Sequence, residues 1–270
     1  MAVKPQWNTA QYLSIMRIPR GYGLHGWEGT SAYQGGFYIG GKNQVYFPDV
    51  PEAVLASFGL AYSYEKAGSS IENDKGNGYV FSKGRLENQK NGLYLIKAIN
   101  EYEDIIKRYP DTIWAVKSYF RIGEIKLNFT FDLDGAVECF ENIVKSGQDT
   151  LLIKESIVKI GDCFIAKGNL EQAEKKYDEA INFVKKKPDE IYYLALFKKA
   201  YVNYLQGKFE QAENTGKSIL MRQPPYSKIY NDILELLMFI REYKSDREAL
   251  SQYVRAETLI KQRKYSEAIA

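Results

Sequence analysis

The chain has one histidine, His25, two cysteines and four methionines in 270 residues. Each scarcity excludes something. A single imidazole in a glycine-rich stretch gives no rigid general base, and no serine or cysteine can be assigned to it as a nucleophile. Cys139 and Cys163 match no zinc spacing and sit inside amphipathic patterns, as expected of buried free thiols. No apolar run reaches the length of a membrane span, and Met1–Trp7 lacks the apolar core of a signal peptide. Charge of one sign is also lacking. The formal net charge of +3 gives no electrostatic footprint for nucleic acid, and Lys185–Lys187 reads as the basic end of a solvated helix. No cofactor or metal site is expected.

What the chain has is tyrosine, 22 copies against 13 phenylalanines, an amphipathic side chain suited to half-buried helix faces and contact surfaces. It also has a beat. Ala98, Ala136, Ala173, Ala212 and Ala249 recur at intervals of 37 to 39 residues, each with apolar neighbours at helical spacing. A period of that length is the mark of stacked helical hairpins, none of which has a core without its neighbours.

Residues 1–50 stand apart as an aromatic and glycine-rich cap or assembly segment. Within it Ser31–Phe47 reads as two short strands around the turn Gly40–Asn43. Gly21–Gly26 spells G-x-G-x-x-G, but Pro19 precedes it and no helix follows. Gly36–Asn43 approaches a phosphate-binding loop, but asparagine replaces the magnesium-binding hydroxyl. Neither is a nucleotide site.

From 51 to 270 the pattern is helical. A first hairpin is interrupted by a polar, glycine-bearing insertion over 68–91, read either as a contact loop or as a tolerated surface excursion. Further hairpins span about 112–146, 152–186 and 190–222, with breaks at Pro110, Gly147, Pro188 and Pro224–Pro225. A fifth begins near Ser227 and turns at Lys244–Asp246. Tyr265–Ala268 then opens an incomplete unit, which predicts a longer parent protein. Ala268 follows Ala249 by half a period, so the helix at 247–262 either ends one unit or begins the next.

The unit at 154–187 carries Gly161, Phe164, Gly168, Leu170, Ala173, Tyr177 and Ala180 in the order of the tetratricopeptide repeat, which it resembles. The unit at 193–226 keeps Gly207, Phe209, Ala212 and Pro224. The unit at 116–150 keeps Gly123, Ala136 and Phe140, with one extra residue in its turn. Ala98–Pro110 with Ile122–Glu124 is also similar to repeats of bacterial envelope proteins such as the outer-membrane assembly lipoprotein family.

The resemblance implies an all-α, right-handed solenoid of antiparallel hairpins and a non-enzymatic scaffold for a protein or peptide partner, open to self-assembly into a homo-oligomer. The alternative is an interaction domain of a larger envelope machine or enzyme whose catalytic part lies outside this chain. The compartment is periplasmic or cell envelope if a signal peptide has been removed, and cytoplasmic otherwise. Carried over from the family, the groove positions are Lys117, Phe120, Glu124 and Leu127 in the second unit. They are Glu155, Val158, Asp162 and Ile165 in the third, and Leu194, Phe197, Tyr201 and Tyr204 in the fourth. The lysine and asparagine clamp of chaperone-binding members is missing at Ala56, Leu60, Phe120, Val158 and Phe197. An apolar, tyrosine-rich groove suits an extended or helical peptide instead.

Overall fold

A computed structural model of the chain describes residues 51–69, 90–184, 188–243 and 245–269. The aromatic segment 1–50, with its expected hairpin, His25 and glycine motifs, lies outside them, as do residues 70–89 of the insertion and Lys185–Lys187. Among the described residues every regular element is helical, and the chain falls into two compact units divided at Phe131/Asp132.

The first unit contains α1 (Pro51–Ser69), α2 (Lys90–Arg108) and α3 (Ile113–Ile125). Helices α1 and α2 pack directly on each other although the insertion separates them in sequence, and α3 packs on both. Leu95, Ala98, Tyr102 and Ile105 form one α2 stripe at helical spacing, and none is more than 1% exposed. Phe58 of α1 joins the layers, its ring 5.3 Å from Tyr102 and 5.1 Å from Trp114. Helix α3 is capped by Thr112, whose Oγ1 accepts from the Ala115 N–H.

The extra residue anticipated after Gly123 is absorbed in a π-helical turn, Lys126–Thr130, that prolongs α3. Widening one turn accommodates one more residue without breaking the helix. Phe131 then adopts φ 57°, a left-handed conformation that ends the turn.

The second unit contains α4 (Leu133–Ser146), α5 (Thr150–Ala166), α6 (Leu170–Val184), α7 (Glu190–Leu205), α8 (Phe209–Leu220), α9 (Tyr230–Glu242), α10 (Arg247–Lys261) and α11 (Tyr265–Ile269). From α5 to α9 each helix packs on the one before it. Asp149, Asp189 and Asp246 cap α5, α7 and α10 by accepting from backbone N–H groups of the first turn. Asp149 stands two residues after the break at Gly147, and Asp189 directly after the break at Pro188. Ala136, Ala173 and Ala212 are completely buried where paired helices touch. Small residues there let the axes approach, and Tyr177 fills the space left by Gly161. Both cysteines are buried free thiols.

The turn between α5 and α6 fixes the repeat frame. Gly168, at φ 78°, donates to the Ile165 carbonyl and Asn169 donates to Phe164. Gly207, at φ 73°, repeats this with Tyr204 and Asn203. The same closure recurs at Arg263, at φ 58°, with Ile260 and Leu259. This pattern of bonds closes a helix by satisfying its last carbonyls.

The open pairing at the C-terminal end is thereby resolved. Helix α10 begins a hairpin whose second helix is α11. Ala268 stands five residues after Arg263, as Ala173 stands after Gly168 and Ala212 after Gly207. Ala249 therefore does not belong to the series. It sits half-buried in the first turn of α10, where its N–H bonds the capping Asp246. Helix α9 is an additional helix between two hairpins, and it displaces the beat.

Candidate functional site

In the second unit α10 packs on α7 and also reaches α5, two helices that are not its neighbours in sequence. The contact with α7 is polar and specific. The Tyr201 hydroxyl donates to Glu257 Oε1 at 2.5 Å and the Tyr204 hydroxyl donates to Glu257 Oε2 at 3.1 Å. One carboxylate thus uses both oxygens on two tyrosines one helical turn apart. Hydrogen bonds to a charged acceptor are stronger than neutral ones.

Aromatic packing surrounds the pair. The Tyr201 and Tyr204 rings stack 6.0 Å apart, and Phe239 of α9 meets Tyr204 edge-on at 6.2 Å. Tyr253 of α10 lies 4.5 Å from Phe239, and Lys261 Nζ sits 5.4 Å above the Tyr201 ring. At the far end a Cβ on Gly168 would meet the Gln262 side chain at 2.6 Å, so the turn after α5 is in contact with the end of α10.

Burial, and next the hydrogen bond to Glu257, push the Tyr201 hydroxyl far above the usual tyrosine range. Burial, and next the Glu257 charge, do the same at Tyr204. Both remain protonated donors throughout the neutral range.

Asp162 ties the adjoining helices together. It accepts from the Tyr177 hydroxyl of α6 at 2.7 Å and pairs with Lys198 Nζ of α7 at 3.0 Å. Burial, with Asp162 next, raises the Tyr177 hydroxyl well above its ordinary value. Asp162 therefore fixes α5 against the helix that presents Tyr201.

The other groove positions have separate fates. On α5, Val158 and Ile165 are buried and Glu155 is half-buried. Leu194 and Phe197 of α7 pack against the core of Ile219, Ile229 and Ile233. In the first unit Phe120 and Glu124 are half-buried, Leu127 is buried in the π-helical turn, and Lys117 Nζ lies 4.7 Å over the Trp114 ring.

That unit has its own buried polar centre. Glu65 accepts from the Tyr102 hydroxyl at 2.9 Å and from Arg121 Nε at 2.8 Å, and a second Arg121 nitrogen engages its other oxygen. The partners are tightly matched, which suits a structural clamp between α1, α2 and α3.

Sequence reasoning names Tyr201 and Tyr204 as groove positions, and the structure packs them in one cluster with Glu257, Tyr253, Lys261 and Phe239, none of which it names as a groove position. A signal was available. In the frame set by Gly168, Gly207 and Arg263, Gly161, Ala200 and Ala256 each stand seven residues earlier. Leu250, Tyr253, Glu257 and Ile260 then correspond to Leu194, Phe197, Tyr201 and Tyr204.

Among the described residues no cluster of histidine, cysteine and carboxylate side chains could hold a metal ion, and no helix is long and apolar enough to cross a membrane.

No protein-family model matches the sequence, and no curated protein matches it. Among solved structures, the crystal structure of MamA protein is similar at 15% identity and a TM-score of 0.43, over 77% of this chain and 94% of that one. YrrB, a TPR protein with an unusual peptide-binding site, is similar at 14% identity and a TM-score of 0.41, over 77% of this chain and 97% of that one.

Proposed function

We propose that the chain is a non-enzymatic protein-interaction scaffold whose α5–α7 face receives a helical peptide of a protein partner. The observation that carries this reading is the seating of α10 on that face. The first helix of the last hairpin reaches past α9 to α7 and α5, and two tyrosine hydroxyls receive its carboxylate. A surface that accepts one amphipathic helix has the pockets and donors to accept another.

The contact residues assigned to the partner are Tyr201 and Tyr204, flanked on α5 by Glu155 and held in place by Asp162. Val158 and Ile165 are buried on α5, and Leu194 and Phe197 are engaged with the Ile219, Ile229 and Ile233 core. Lys117, Phe120 and Glu124, with Leu127 beneath them, provide a corresponding face on the first unit.

The test is affinity capture with the full chain as bait, run beside the Tyr201→Phe/Tyr204→Phe double variant. That variant keeps the rings and removes the two donors. The reading expects at least one protein to lose most of its recovery on the variant while the chain keeps its helical circular-dichroism signal and stays folded. Equal recovery of every captured protein by both baits would contradict it.

A further inference from the structure

Helix α10 is a lightly anchored occupant of the face it covers. Only Leu250 and Val254 are buried along its 15 residues, whereas α5 buries eight in 17. Tyr253 is 52% exposed and Ile260 is 49% exposed. Besides these two apolar side chains, its hold comes from Glu257 on the two tyrosines, Lys261 over Tyr201 and Tyr253 against Phe239. Segments with few buried apolar side chains open at lower free-energy cost than the core around them.

These three side chains occur at four-residue intervals, Tyr253, Glu257 and Lys261, and so form a single stripe along one helix face. The face they meet offers an aromatic wall at Phe239, two hydroxyl donors, and the open face of the Tyr201 ring. Each station on the helix has a partner of matching chemistry, and the Glu257–Lys261 order also suits an isolated helix.

We propose that α10 is a displaceable internal ligand, and that the scaffold's partner is an amphipathic helix carrying the same stripe, with an aromatic residue, a carboxylate four residues on and a base four residues beyond that. The inference rests on the groove reading above. Occupation in cis makes binding conditional. A partner must compete with α10, so its apparent affinity is reduced by the fraction of chains in which α10 has left.

The probe is a fluorescein-labelled peptide of residues 246–264, titrated by fluorescence anisotropy into the full chain. The Tyr253→Ala/Glu257→Gln variant of the chain weakens α10 without touching the face beneath it. Peptide binding to this variant should be about tenfold tighter or more than to the unaltered chain, since the competing occupant is then mostly absent. A peptide with glutamine at the position of Glu257 should bind the variant more weakly than the unaltered peptide. Glu257→Gln alone, which changes no volume, serves as the second chain variant should the double change disturb the fold, and it should shift binding in the same direction.

Equal peptide affinity for the unaltered and weakened chains would overturn the proposal, as would no binding to either. So would dimerisation of the weakened chain without peptide uptake, since a second copy would then be the occupant. In all three cases the broader scaffold reading stands as long as a captured partner still depends on Tyr201 and Tyr204. Loss of that dependence is the separate result that removes the scaffold reading itself.

Discussion

Gly161 and Tyr177 are matched so closely that a Cβ on the glycine would stand 2.5 Å from the ring carbon Cε1 of the tyrosine. The ring cannot yield. Tyr177 is fully buried, and its hydroxyl is held by Asp162 at 2.7 Å. Gly161→Ala is therefore expected to destabilise the second unit by about 1–3 kcal/mol through overpacking, with the gain in helix propensity offsetting only part of that. Gly216→Ala is the control. Its added methyl meets the end of the Leu237 side chain at 2.9 Å, which can move aside. Urea unfolding of the two variants should show a clear loss for the first and a change within about 1 kcal/mol for the second. Equal losses would mean that the close approach at Gly161 is not the special feature of the hairpin.

The Glu65 centre supports a prediction for the first unit. The Glu65 side chain is 7% exposed and Arg121 is 26% exposed, so removing the carboxylate leaves a half-buried guanidinium and the Tyr102 hydroxyl without their acceptor. Glu65→Ala should cost about 3–5 kcal/mol, the range seen when one member of a buried pair is removed. Trp114 fluorescence during denaturation, read in a background with Trp7→Phe and Trp27→Phe, reports on this unit, because its ring packs on Phe58. A double-mutant cycle with Arg121→Ala should return a coupling of at least about 1 kcal/mol. A negligible coupling would reduce the clamp to ordinary packing.

Alkaline pH should weaken the fold through its tyrosines. The Tyr102, Tyr177, Tyr201 and Tyr204 hydroxyls are all raised above the ordinary value of 10.0, with burial as the largest cause in each. A raised folded-state value means that the folded chain holds these protons more tightly than the unfolded chain. Their contribution is complete below the unfolded-state value and is lost progressively as pH climbs beyond it. Urea midpoints should fall above about pH 10, and Tyr201→Phe/Tyr204→Phe should flatten that decline. An unchanged slope in the variant would separate these tyrosines from the alkaline transition.

Much of this architecture was legible in the sequence because it depends on local chemistry. Pro110, Gly147 and Pro188 stop helices wherever they stand, and an aspartate or threonine following a break caps the next one. The four alanines from Ala98 to Ala212 mark close helix approaches, and all are fully buried. Ala249 misled because an amphipathic pattern says that a face is buried without saying against which helix. A helix led by Asp246 looks alike whether it closes one hairpin or opens another. Only the left-handed turn at Arg263, where arginine stands in the place glycine holds at 168 and 207, separates the two.

The candidate site was half legible for the same reason. Tyr201 and Tyr204 stood out as an aromatic pair on one helix face. Their partner Glu257 lies 56 and 53 residues away, and the intervening α9 shifts the register that would have aligned it. Ile165 stands at the position equivalent to Tyr204, and the two are 6% and 2% exposed. Position in a repeat selects a face, and contacts distant in sequence then decide which helix covers it.

The most direct measurement of the central claim is hydrogen exchange across α10 in the full chain, compared between the unaltered protein and Tyr201→Phe/Tyr204→Phe. Two hydrogen bonds to one carboxylate hold this helix, and bonds to charged groups contribute about 1.5–3 kcal/mol each. Their loss should speed exchange at the amides of α10 by about tenfold or more while α5 and α6 keep their protection. Unchanged protection along α10 would contradict the claim that the tyrosine face holds this helix, and with it the groove as a helix-binding site.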